Sequence, residues 1–206
     1  MEQGATNKPS ASSASPLIKD RFDMASKTVA IVGGLISAIV LIVSLKANTA
    51  QRARELRWGQ AKLAAELEDD MLIDDPQAFN ALRMIDWTAY DFTIEGKKVR
   101  ITRDEVRKSL DVENNNNLPP NGAFIRESFD RLFYRMGKME RALKSNLINF
   151  EDVCSPMDYY VPFLRFVYGQ TLVLYMKQLH QTDAIQFMKR FGASDPCQSK
   201  NRSPAR

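Results

Sequence analysis

At 206 residues, the chain has room for one modest domain beside any anchor or tail. Its 29 Lys and Arg against 25 Asp and Glu leave a net charge of only +4. The signs are interspersed and no basic stripe is interleaved with aromatics, which argues against a nucleic-acid partner. The two cysteines, Cys154 and Cys197, have no framework spacing, so nothing in their number or placement indicates an oxidising compartment.

Residues 1–27 include NKPSASSASP, rich in Ser, Pro and Ala, and are expected to be disordered. Between Lys27 and Lys46 lie eighteen residues, 28–45, without a charge or a polar face. As a helix at about 1.5 Å per residue they reach about 27 Å, close to a hydrocarbon core of roughly 30 Å. A cleaved export signal has an apolar centre of only about 7–15 residues and a small-residue cleavage site. Here the run is longer, and Lys46-Ala47-Asn48-Thr49 offers no such site. The stretch predicts a transmembrane helix that anchors the chain in a lipid bilayer. Lys19, Arg21 and Lys27 precede it; Lys46, Arg52, Arg54, Arg57 and Lys62 follow. That small excess expects a single-pass protein of the cell (inner) membrane with a cytoplasmic carboxyl-terminal domain. Ser26, Ala30, Gly34 and Ala38 recur every four residues, a small-residue face on which two copies of the span would pair.

A juxtamembrane helix is expected over 46–71, with Leu56, Leu63, Leu67 and Met71 as its apolar positions. Asp75-Pro76, an N-cap and a first-turn proline, then opens a helical domain over 72–192. Phe92/Ile94 and Val99/Ile101 alternate about Gly96, predicting one hairpin near 90–101. Thr102-Arg103-Asp104-Glu105 reads as a capping box starting a helix to about Val112. A long amphipathic helix follows over 123–145, with Phe129, Leu132, Phe133 and Met136 on its buried stripe. Ser155-Pro156 starts the last helical region, which Pro162 is expected to kink and Gly192 to end. The tail, 193–206, is expected to be disordered. The fold class is therefore mainly α: one amino-terminal transmembrane helix, a juxtamembrane helix and a small helical domain with one short β-hairpin.

Chemistry is harder to find. His180 is the only histidine, and the cysteines lack metal-ligand spacing, so no metal site is expected. Gly33-Gly34 lie in the apolar stretch, and Gly96 and Gly122 stand alone, so no phosphate loop and no cofactor are expected. Cys154, ahead of Ser155-Pro156, is either a structural cysteine or a thiol activated at a helix N-terminus. Glu140 lies beside the apolar stripe of the long helix. Buried there it requires a partner, for which Arg126, Arg131, Arg135 or a loop N–H are the candidates; a ligand contact is the alternative.

The segments ALRMIDWTAYDFTIEGKKVRIT and FIRESFDRLFYRMGKMERALKSNLINFEDVCSPMDYYV resemble a family of uncharacterised bacterial single-span membrane-anchored proteins. The shared features fall at Ile85-Asp86-Trp87, Gly96, Phe129-Asp130, Glu140, Leu147 to Val153 and Tyr159-Tyr160. They are packing and capping motifs, and the resemblance implies the architecture, with a small helical cytoplasmic domain, and no catalytic residue. The sequence thus expects a membrane-tethered, non-enzymatic interaction module: an adaptor, sensor or effector accessory with an unidentified protein partner. A membrane-localised enzyme using carboxylates or Cys154, and an oligomerising membrane effector, are the alternatives.

Overall fold

A computed structural model describes residues 16–114, 118–192 and Cys197, with side chains at Ser37 and from Ile39 onward, Asn114 excepted. The chain divides into two compact units, Met1–Glu55 and Leu56–Arg206. The described elements are six α-helices, one two-stranded antiparallel sheet and two single-turn 3-10 helices.

α1 is a single helix, Pro16–Leu72, where the sequence reading placed the end of a disordered tail (16–27), a span and a juxtamembrane helix. In the first unit its described apolar side chains meet no core: Ile39, Val40, Leu41, Ile42, Val43 and Leu45 are 54–62% exposed. The polar groups here turn inward on the helix itself. Ser44 Oγ donates to the Val40 carbonyl at 2.8 Å and Thr49 Oγ1 to that of Lys46 at 2.9 Å. Among the described residues no helix is long and apolar enough to cross a membrane. Most side chains of 28–45 lie outside that set, as do those of Ser26, Ala30, Gly34 and Ala38.

The second unit begins with the last turns of α1. Ala64, Leu67 and Met71 are buried there, whereas Leu56 stays 64% exposed, so the leucine spacing of seven marks a docking face only from its second position onward. α2, Pro76–Asp86, opens on Asp75, whose carboxylate accepts from the Ala78 N–H at 3.2 Å, with Pro76 at the first helical position. β1, Ala89–Ile94, and β2, Lys97–Thr102, pair with Phe92 opposite Val99 and Ile94 opposite Lys97. Phe92 and Ile101 bury the face that a lone hairpin needs to lean on helices. Thr102 and Glu105 form the expected capping box on α3, Arg103–Leu110.

α4, Gly122–Lys144, runs through the middle of the domain with Ile125, Phe129, Leu132, Phe133 and Met136 fully buried. Truncating Phe133 to alanine would cost roughly 3–5 kcal/mol at such a site. α5, Met157–Gln178, is interrupted, but not at Pro162. The break falls at Gly169, with φ 47° and ψ −124°, a conformation that essentially only glycine adopts. Pro162 is exposed near the amino-terminal end of α5, six residues into the helix, and the helix continues past it. The final helical region is also cut in two. His180, at φ 56°, turns the chain between α5 and α6, Thr182–Arg190. Gly192 follows α6 without a left-handed φ, its N–H reaching the Lys189 carbonyl at 3.0 Å.

Candidate functional site

Glu140 is the one buried carboxylate that the sequence marks as a contact. It is 1% exposed on α4 and bound by a residue outside the expected set. Arg190, at the end of α6, donates from Nε to Oε2 at 2.6 Å and from Nη2 to Oε1 at 2.9 Å. Lys144, one turn on, stands 3.9 Å from Oε1. The bidentate fork satisfies both carboxylate oxygens and ties α4 to α6.

The three expected arginines are engaged elsewhere, for reasons of helix geometry. Arg135 precedes Glu140 by five residues, which at 3.6 residues per turn places it on the other flank of α4. There it binds Asp75 through Nε at 3.0 Å and Asp70 through Nη1 at 2.9 Å. Arg131 donates to the Gln77 side chain at 3.1 Å. Arg126 reaches the Ser109 carbonyl at 2.6 Å, supplying a donor at the carboxyl end of α3.

Three further acids are held the same way. Asp70 also accepts from Lys138 at 2.7 Å, and that hydrogen bond holds its carboxyl below the usual range. Lys144 at 2.8 Å and Arg141 at 3.2 Å do the same for Asp183, the lysine hydrogen bond being the larger cause. Arg57 closes a two-bonded ion pair on Asp152, lowering that carboxyl too. Asp130 shifts the other way: burial raises it, although Tyr175 Oη donates to it at 2.9 Å. Burial pushes the phenols of Tyr160 and Tyr168 up to about 12, so both stay protonated near neutrality.

Cys154 is not a free thiol. It is 7% exposed and disulfide-bonded to Cys197, with Cα atoms 5.7 Å apart. This corrects two expectations. The activated-thiol alternative loses its nucleophile, because a sulfur in a disulfide has no thiolate to offer. The cysteine argument for a reducing compartment lapses as well, since the pair is far apart in sequence but joined in the fold. The sequence holds no local signal for it, because 43 positions separate the partners and two cysteines fit no spacing pattern.

Among the described residues no group of three or more His, Cys, Asp or Glu could hold a metal ion. Two buried donors lack an acceptor there: Arg103 Nε and the Tyr168 hydroxyl. A shallow cavity opens between α5 and α6, lined by Arg165, Val173, Met176, Ile185, Met188 and Lys189. Nothing in the sequence flags it, because its walls come from three separate helical segments. No family model, no curated protein and no solved structure matches the chain.

Proposed function

We propose that the chain is a single-span, membrane-tethered interaction module whose helical domain acts by binding rather than by catalysis. One observation carries the tether. Six consecutive or near-consecutive apolar side chains, Ile39 to Leu45, stand more than half exposed on α1, with the one hydroxyl among them bonded back to its own helix. A contiguous exposed apolar belt has to be covered by lipid or by another protein. The uncharged run of 28–45 gives lipid the matching length. Small residues at Ser26, Ala30, Gly34 and Ala38 would let two such helices pair inside the bilayer. The binding role draws support from the acids: Glu140, Asp70, Asp75, Asp152 and Asp183 are each committed to an ion pair that joins two elements.

The side on which the domain lies turns on two opposing arguments. The basic excess after residue 45 favours the cytoplasm by a narrow margin. The Cys154–Cys197 disulfide favours an oxidising compartment, where such bonds persist. We place the domain on the oxidising side, because a persistent disulfide excludes more than a difference of a few charges does.

Alkaline carbonate extraction of membranes tests the tether. The full chain should remain in the pellet, and a Leu41→Asp, Ile42→Asp variant should be released. Recovery of the parent chain in the supernatant as a discrete oligomer would show instead that the belt packs on protein.

A further inference from the structure

We propose that the cavity between α5 and α6 binds a small organic anion: a carboxylate carried on a single ring or a short alkyl chain. The floor is apolar, made by Val173, Met176, Ile185 and Met188. Its volume is about 160 Å³. An apolar cavity of about 150 Å³ holds a benzene ring, so this one is sized for one ring or a few methylenes and is too small for a full acyl chain. Two methionines suit it to ligands of differing outline, since their thioethers are unbranched and polarizable.

Charge selects the anion. Arg165 and Lys189 complete the wall, both are exposed, and no acidic side chain lines the cavity. Neither cation makes a salt bridge or a side-chain hydrogen bond among the described residues. Their neighbours differ: Arg190 is bound to Glu140, and Arg141 and Lys144 to Asp183. The domain thus pairs the cations on one side of α6 and leaves two unpaired on the other, above an apolar floor. A guanidinium and an ammonium at the rim would hold a carboxylate at the solvent edge while its apolar body is buried. The Gly169 break lies between Arg165 and Val173, so the wall joins two separately oriented pieces of α5 to α6. The cavity lies wholly within the helical domain, so ligand binding does not depend on the amino-terminal stretch being inserted in lipid.

The test is a titration of the full chain, with methyl-labelled methionines, in phosphatidylcholine nanodiscs, or in buffer if the chain proves soluble. The probe is 3-phenylpropionate; 3-phenylpropylamine, equal in apolar body and opposite in charge, is the control. The Met176 and Met188 methyl resonances, assigned by Met→Leu replacement, should shift saturably with the acid and not with the amine. The exposed pair Arg165→Ala, Lys189→Ala should weaken binding at least tenfold, and Val173→Phe, which fills the floor, should abolish it. Unmoved Met136 and Met139 resonances report that each variant is folded; the double variant, being on the surface, keeps the test open should Val173→Phe misfold. No shift in the parent chain, equal shifts with the amine, or unchanged affinity in the double variant would each overturn the assignment.

Discussion

Glu140 and Arg190 form an asymmetric pair, and the asymmetry sets what each substitution does. The Glu140 side chain is 2% exposed and that of Arg190 39%. Removing the arginine strands a carboxylate away from water, with only Lys144 at 3.9 Å to offset it. Removing the acid frees a guanidinium that water already reaches. Arg190→Ala should therefore cost about 3 kcal/mol, the lower part of the range for breaking a buried pair from one side. Glu140→Gln should cost less, since the amide keeps an acceptor for Nε. Replacing both, Glu140→Leu with Arg190→Met, should recover most of the loss, because an apolar pair of similar volume carries no desolvation penalty. Urea unfolding of the four proteins measures these differences. A double variant less stable than Arg190→Ala would mean that the pair contributes more than mutual neutralisation.

The β1–β2 turn makes the corresponding case for an element. Ile94 faces Lys97, leaving Glu95-Gly96 as a two-residue connection with φ of 49° and 77°. Both values are left-handed, as a type I′ turn requires, and only the second position carries glycine. Among the described residues Glu95 makes no side-chain hydrogen bond or ion pair to offset its Cβ conflict. Glu95→Asn should stabilise the domain by about 0.5–1 kcal/mol, since asparagine tolerates this region and a left-handed residue costs roughly 1–2 kcal/mol. Thermal melts of parent and variant decide it, and a lower midpoint in the variant would show that the Glu95 side chain has a role the turn geometry does not reveal. Elements like this one were legible because their signals are local. Gly96 marks the turn, Asp75-Pro76 the start of α2, and Thr102 with Glu105 the start of α3, each within four residues. The interruptions of the last helical region were not. Pro162 carries the stronger sequence signal for a kink, yet the chain breaks at Gly169 and turns at His180, both in left-handed backbone. The partner of Glu140 was equally out of reach, because Arg190 lies 50 positions away and only the α4–α6 approach brings it near.

For the molecule as a whole the disulfide decides the most. Cys154 precedes α5 and Cys197 follows α6, so the bond closes a loop containing both helices and the cavity between them. With a sequence separation of 43 between the partners, chain entropy alone gives such a closure about 4 kcal/mol. That stabilisation is present only where the bond survives, so under the topology proposed above the domain should lie outside a glutathione-reduced cytosol. The prediction is read in intact cells. Free thiols are first blocked with N-ethylmaleimide; the protein is then denatured, reduced and treated with maleimide–polyethylene glycol. Two adducts should form, and none when the reduction is omitted. An alkaline phosphatase fused after Arg206 should be active, and a green fluorescent protein fused there, exported unfolded, should be dark. If instead both thiols are already blocked in the first step and the fluorescent fusion is bright, the domain is cytoplasmic, the narrow charge excess after residue 45 is what orients the chain, and α5 and α6 hold their places by packing and the Glu140–Arg190 pair without the covalent tie.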